Sequence, residues 1–255
     1  MLYHYREAAG SPQFGTLYGV SVGPGDPELI SLKGLRMIQA APIIAFPAGT
    51  KPGKPGVAET IISAWQQPHQ TLLPLRFPYT QDAASLTAAW ADAAEMVSHH
   101  LAQQQDVAFV SEGDVSFYST FAYLAQHLQQ RMPEVKITAI PGVCSPLAAA
   151  AALGLPLALG DQRLTVLPAL YSVSNLETTL DHSDVVVLMK VSSVYRQVWP
   201  ILQQRQLLAT SYVVEWATSD RQRLYHGLSD RPDLALSYFS LMVIVVSPSR
   251  YGTHP

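Results

Sequence analysis

The sequence predicts an α/β protein built from two α/β domains, and three observations carry that prediction. Strand-like runs alternate with helical ones through the first half, three of the strands end in glycine-containing loops, and past Pro156 the texture changes to denser strand-like runs. With 255 residues, 48% hydrophobic and 14% charged, the chain has enough apolar material for a large core. Its formal net charge of −3 excludes a module that binds nucleic acid through a strongly basic face.

The elements follow in order. Thr16–Val22 (TLYGVSV) is rich in β-formers and ends at glycines, which predicts a buried strand running into the loop Gly23–Pro27 (GPGDP). Ser31 then caps a helix with apolar residues Leu32, Leu35 and Ile38 at helical spacing, and PIIAF (Pro42–Phe46) returns as a second strand. Ala48–Val57 holds three glycines and two prolines and reads as an exposed loop. TLLPL (Thr71–Leu75) is a strand, Ala83–Gln104 a long alanine-rich helix, and DVAFV (Asp106–Val110) a buried strand delivering the SEGD loop. Ser119–Gln130 is a helix capped by Ser119 or Thr120, KITAI (Lys136–Ile140) a strand, and Ser145–Leu153 a helix with serine at its cap and proline in its first turn. Five strands alternating with helices predict a mostly parallel, doubly wound sheet.

Beyond Pro156 come RLTVLPAL, DVVVLMKV, TSYVVEW, RLYHG and SLMVIVV, all strand-like. A boundary near Leu157 therefore divides the chain into residues 1–157, an N-terminal α/β domain with a parallel sheet, and residues 158–255, a C-terminal α/β domain. The cleft between two such domains is where a ligand is expected.

A single cysteine, Cys144, rules out an internal disulfide and a multi-cysteine zinc site, and predicts a cytoplasmic protein. Arg6 and Glu7 interrupt the apolar stretch that a secretory signal needs, and Pro141, Pro146 and Pro156 break the uncharged run 137–160, so no membrane span is expected. The adjacent His99 and His100 point to different sides of a helix, poor geometry for joint metal ligation, and no metal site is expected.

Three loops can carry chemistry. GPGDPELIS sits where phosphate-binding loops sit, yet Glu28 replaces the third glycine of a dinucleotide fingerprint and no Gly-Lys-Ser/Thr follows. Pro24 and Pro27 remove donors, and Asp26 and Glu28 repel an anion, so its plain reading is a turn with a capping aspartate. In SEGDVSFYST, Gly113 allows close approach to the backbone, and Asp114 suits a ribose hydroxyl or a cation as well as it suits a helix cap. IPGVCSP ends a third strand at a glycine, with the small Cys144 and Ser145 at the mouth of a helix. The three strand ends converge on one sheet edge, where open α/β sheets bind ligands.

In combination, VGPGDPELISLKG, EGD with FYST, IPGVCS, VVVLMK and VEWATSDRQ followed by Gly227 resemble the tetrapyrrole methylases, from Thr16 to about Pro248. The segment from FPYTQD to FAYL is most similar to the branch that methylates carbon 20 of precorrin-2 or cobalt-factor II in cobalamin biosynthesis. The resemblance implies a methyl donor, S-adenosylmethionine (SAM), held by Pro24, Glu112, Gly113, Asp114, Phe117, Cys144, Ser145, Met189 and Ala217. Val115 and Ala217 depart from the family's usual proline and glycine, and Phe46-Pro47 stands where uroporphyrinogen methylases carry a Tyr-Asp pair, so that acid-base role does not transfer. Candidates by motif position for taking up a ring proton are Tyr118, Glu112 and Asp26, each with a structural reading beside it. A carboxylate-bearing tetrapyrrole needs local cations, for which Lys51, Lys54 and Arg76 are candidates, with solvated surface charge as the plain alternative. Any cobalt would arrive within the substrate, and the resemblance implies a homodimer. Competing readings are another tetrapyrrole or corrin-ring methylase, a ribose methylase of RNA, a diphthamide-pathway methylase, or a non-catalytic tetrapyrrole-binding protein.

Overall fold

The computed structural model describes residues 14–49, 54–78, 80, 82–168 and 173–247. The chain divides into two compact units, residues 1–144 and 145–255.

The first unit is a five-stranded sheet. Its strands are β1 (Thr16–Ser21), β2 (Ile43–Pro47), β3 (Thr71–Leu75), β4 (Val107–Ser111) and β5 (Lys136–Ile140), in the order β3-β2-β4-β1-β5. Every pairing is parallel, so both faces must be covered, and the strands are accordingly almost continuous apolar runs. Helices α1 (Leu32–Ala40) and α2 (Val57–Ile62) contribute Ile38, Ala58, Ile61 and Ile62 to a core with Val20, Ile44, Ala108 and Val110. Helices α3 (Ala83–Ala102) and α4 (Phe121–Arg131) cover the other face, burying Val97, Leu101, Phe121 and Leu124 against Leu17, Ile43, Val107 and Phe109.

This division of helices follows from handedness. The chain steps one way along the sheet from β1 to β3 and back the other way through β4 to β5, and right-handed crossovers then put α1 and α2 on one face and α3 and α4 on the other. β1 and β4 are neighbours whose chains leave by opposite faces, which opens a crevice beyond their carboxyl ends.

The second unit begins with α5 (Ser145–Leu153), which lies against the last strand of this unit, so that helix falls ahead of the Leu157 boundary read from sequence texture. Strands β6 (Leu164–Pro168), β7 (Val185–Met189), β8 (Ser211–Glu215), β9 (Arg223–His226) and β10 (Ser240–Val245) form a mixed sheet ordered β6-β7-β10-β8-β9. Only β6 and β7 are parallel; β10 runs antiparallel between β7 and β8. Helices α6 (Leu176–His182) and α7 (Tyr195–Gln204) bury Leu176, Leu180, Tyr195, Val198 and Leu202 against Val186, Leu188, Val213, Met242 and Ile244. Two aromatics of α7 also fasten the connection into β10: the Tyr195 hydroxyl donates to the carbonyl of Arg231 at 2.7 Å and Trp199 Nε1 to that of Leu228 at 2.8 Å. Among the described residues no helix is long and apolar enough to cross a membrane.

The strands and most helices lie where the periodicity places them. Three helices have no counterpart in that reading: α2, six residues directly after the glycine- and proline-rich segment, and α6 and α7, which lie beyond Pro156 among the strand-like runs. One strand glycine is demanded by packing. A Cβ on Gly19 would stand 2.2 Å from the ring of Phe121, so Gly19→Ala should destabilise the first unit by about 1–3 kcal/mol through overpacking. Urea unfolding measures it, and adding Phe121→Leu should recover part of the loss; a double variant showing the plain sum of the single effects would refute the contact.

Candidate functional site

At the carboxyl edge of the first sheet the three loops are tied together by one side chain. Asp114, 9% exposed, accepts from the backbone N–H of Gly142 at 2.7 Å through Oδ2 and from the backbone N–H and hydroxyl of Ser116 at 2.8 and 2.5 Å through Oδ1. The same Oδ2 lies 3.3 Å from the hydroxyl of Ser21 at the end of β1. Ser21 is fully buried; its hydroxyl donates to the Ile140 carbonyl at 2.8 Å and accepts from Val115 N–H at 2.9 Å. The ends of β1, β4 and β5 are thus joined through two short side chains. A backbone bridge reinforces them, with Gly113 N–H donating to the Gly23 carbonyl at 2.8 Å and Gly23 N–H returning at 3.3 Å.

Close approach explains two of the glycines. A Cβ on Gly142 would meet the Ser21 Cβ at 2.5 Å. Gly113 adopts φ +70°, and a Cβ added there would meet nothing within 4 Å. Open space therefore stands beside the Gly113 backbone, so a ligand can approach it closely.

Burial alone pushes the Asp114 carboxyl up, but the donors from Ser116 and Gly142, with the Ser21 hydroxyl beside them, outweigh it and hold it below its ordinary 3.8. The carboxylate is consumed by the loops themselves, which leaves the backbone of this turn, rather than its acid, to meet a ligand. Asp26 is likewise engaged, Oδ1 accepting from Glu28 N–H at 2.8 Å to cap the turn Pro27–Leu29. Thr120 is the N-cap of α4; the Ser119 hydroxyl before it accepts from Phe121 N–H at 3.2 Å and lies 2.9 Å from that of Ser111.

The same edge gathers the other first-unit candidates. Pro24 and Asp26 follow β1, Glu112, Phe117 and Tyr118 follow β4, and Cys144 closes the segment after β5. Tyr118 is 53% exposed and holds φ +51°, its ring edge-on to Phe117 at 4.9 Å. Lys54 and Arg76 are exposed and follow β2 and β3, on the outer side of this edge. Lys51 lies outside the described residues.

In the second unit, Ser145 starts α5, Met189 ends β7 and Ala217 follows β8. Register brings the latter two to one edge: Met189 and Val214 both pair with Leu241, from opposite sides of β10, and Trp216 N–H extends the ladder by donating to the Phe239 carbonyl at 2.8 Å. Beneath that edge Glu215, 3% exposed, accepts from the Tyr225 hydroxyl at 3.0 Å and from Ser237 N–H at 2.6 Å. Backbone strain collects around the candidates. Among the described residues six non-glycine positions have positive φ; Gln104 and Gln206 close α3 and α7, whereas Tyr118, Lys190, Trp216 and Thr218 adjoin Phe117, Met189 and Ala217. Such conformations cost on the order of 1–3 kcal/mol each and concentrate at ligand sites. Sequence motifs point to Ala217; the grouping of Phe239 and Arg221 on the ring of its neighbour Trp216 emerges only in three dimensions.

Among the described residues no group of three His, Cys, Asp or Glu is placed to hold a metal ion.

Comparison with known proteins agrees with this arrangement. Residues 16–232 match the family described as Tetrapyrrole (Corrin/Porphyrin) Methylases, and the chain belongs to that family. It is 35% identical over 238 residues to the cobalamin biosynthesis protein CobIJ of Mycobacterium tuberculosis (strain ATCC 25618 / H37Rv), covering 90% of this chain and 46% of that protein, so it spans about half of that relative's length. It is 31% identical to the precorrin-2 C(20)-methyltransferase of a Sinorhizobium species, covering 90% of this chain and 95% of that one. Among solved structures, the cobalt precorrin-4 methyltransferase CbiF superposes with a TM-score of 0.65 at 21% identity, covering 91% of this chain and 96% of that one. A uroporphyrin-III C-methyl transferase from Thermus thermophilus complexed with S-adenyl homocysteine gives 0.65 at 18%, over 90% and 97%. These two likenesses establish the fold.

The Asp114 knot generates a signed pH dependence. Because its folded pKa lies below the ordinary 3.8, the stabilisation it gives is fully present above that value and is lost as pH falls through the folded pKa. Asp114→Asn, which turns an accepting oxygen into a donor facing donors, should cost about 1–3 kcal/mol near neutrality. The gap between variant and wild type should narrow below about pH 4, and urea titrations at several pH values read it; a gap constant down to pH 3 would refute the charged knot.

Proposed function

We propose that the chain is a SAM-dependent C-methyltransferase of cobalamin biosynthesis that methylates carbon 20 of precorrin-2 or its cobalt-containing counterpart. One observation carries the choice of ring position. Relatives named for the C(20) reaction align over 95–96% of their own length and about 90% of this chain, whereas the precorrin-4 C(11)-methyltransferase of Pseudomonas aeruginosa aligns over 62% of this chain and 55% of its own.

The residues fit the methyl donor. In the first unit the space beside Gly113 admits a ligand against the backbone of Glu112, Gly113 and Asp114, with Pro24 and Cys144 small and Phe117 apolar; in the second, Ser145 and Ala217 are small and Met189 supplies apolar surface. When bound, SAM supplies a methyl group already activated on a sulfonium. The protein's task is then alignment and exclusion of water, and no side chain has to act as a nucleophile. A group is needed at most to accept the proton released from the ring carbon. Tyr118, exposed at the loop edge, and Glu112 remain candidates for it; Asp26 is committed to its cap. The reading extends to a cytoplasmic homodimer, as the resemblance implies.

Incubating the purified chain with SAM carrying a 13C methyl group and with precorrin-2, in metal-free and cobalt forms, should give a product one methyl heavier whose label resides on carbon 20 by NMR. Label at another carbon would reassign the ring position, and binding without product would favour a carrier. A second measurement tests the cofactor residues. Gly113→Leu and Ala217→Leu should each abolish SAM binding in calorimetry by filling the space the ligand needs, and unchanged affinity in both folded variants would refute this placement.

A further inference from the structure

The edge of the second sheet carries a cation in an uncommon setting. The Arg221 guanidinium lies 3.6 Å from the centroid of the Trp216 ring, and the Phe239 ring lies 4.4 Å from it, centroid to centroid. Five arginines, Arg131, Arg163, Arg196, Arg205 and Arg231, have carboxylate partners; Arg221 has none among the described residues, and the neighbouring Asp220 does not pair with it. Nearby, Lys190 places its ammonium 5.1 Å from the centroid of Tyr238, whose ring is edge-on to Phe239 at 5.2 Å.

The loop that presents Arg221 is held by its own hydrogen bonds. Ser219 N–H and hydroxyl donate to the Trp216 carbonyl at 3.0 and 2.9 Å. Thr218 N–H donates to Gln222 Oε1 at 2.7 Å, and Arg221 N–H to the Ser219 hydroxyl at 3.2 Å. Trp216 and Thr218, at φ +50° and +66°, bracket Ala217. A guanidinium held over an indole face retains N–H groups directed away from the ring, in the planar fork that matches a carboxylate bidentately. Stacking also fixes the side chain beforehand, so little entropy remains to be lost when an anion arrives.

We propose that Arg221, stacked on Trp216 and seconded by Lys190, is the subsite that receives side-chain carboxylates of the tetrapyrrole substrate. This rests on the methyltransferase reading above, since it is the proximity of Met189 and Ala217 that makes this edge part of a site. It moves the main anion-recognising charge from Lys54 and Arg76, at the outer strands of the first sheet, to the second unit.

The test uses the full chain and uroporphyrin III, a stable porphyrin bearing eight carboxylates, with affinity followed by absorbance titration. Arg221→Gln should weaken porphyrin binding by about fivefold to thirtyfold and flatten its dependence on salt, while SAM affinity and thermal unfolding stay at wild-type values because the residue is exposed. Arg221→Lys, which keeps the charge but not the flat fork, should fall between the two. Wild-type porphyrin affinity in Arg221→Gln, with the loss appearing instead in the Lys54/Arg76 double alanine variant, would overturn this subsite and leave the methyltransferase reading intact. A wild-type chain that binds neither porphyrin nor precorrin-2 would overturn both.

Discussion

A buried carboxylate that must stay charged organises the first unit. Asp114 has no cationic partner among the described residues; its two oxygens are satisfied by the donors of Ser116 and Gly142, beside the Ser21 hydroxyl. A carboxylic acid in that position would present its own proton to N–H and O–H groups, so only the anion closes the knot. Gly142 has to be glycine because its Cβ would invade Ser21, and the Gly23–Gly113 bridge forms because the loops after β1 and β4 are drawn together. The crevice at the switch point is thereby given a rigid floor, which is what positions the open space beside Gly113.

The second unit solves the same problem with a second buried acid. Glu215, at the end of β8, uses its carboxylate on the Tyr225 hydroxyl and the Ser237 N–H, holding the segment that enters β10 against the strand that delivers Ala217. Both acids lie inside motifs that mark the family, EGD and VEWAT, and both serve the architecture. Beside them stand the open backbone of Gly113, the small buried side chain of Ala217, and the half-buried rings of Phe117 and Trp216. A motif can thus be diagnostic because its charged member fixes the loop in which it lies.

This division explains what was legible in the sequence. Strand and helix periodicity, glycine punctuation and the parallel order of β1 to β5 are local or near-local signals, and each element they predict is present. The convergence of three loops on one edge also follows from a doubly wound sheet. Two features were not legible. Ser21 is an ordinary strand serine until β4 and β5 are placed on either side of it, with partners 93 and 119 residues away in sequence. Arg221 reads as surface charge until its guanidinium is found on Trp216, and the φ values that turn Trp216 and Thr218 leave no mark in composition because neither is glycine or asparagine. Long-range side-chain pairing and backbone strain escape pattern reading for the same reason: each is decided by tertiary packing rather than by neighbours in sequence.

The chemistry that such a site favours follows from what its acids are already doing. Hydrolytic or acid-base enzymes need a titratable group held near neutrality by burial or by a like charge. Here the buried acid of the first unit is driven the other way, its pKa held below the ordinary carboxylate value by the loops it ties, and Asp26 is spent on a cap. Beside Gly113 in the first unit stand backbone and the ring of Phe117, with Glu112 and Tyr118 as the groups left to accept a proton, and beside Ala217 in the second unit stands the ring of Trp216. Transfer of a methyl group from a sulfonium to an electron-rich ring carbon asks for that: fixed geometry, little water, and no protein nucleophile. Recognition can then be delegated to charges at the periphery, where a cation laid on an aromatic face remains available to the carboxylates of a large acidic ring without placing a competing charge at the reacting centre.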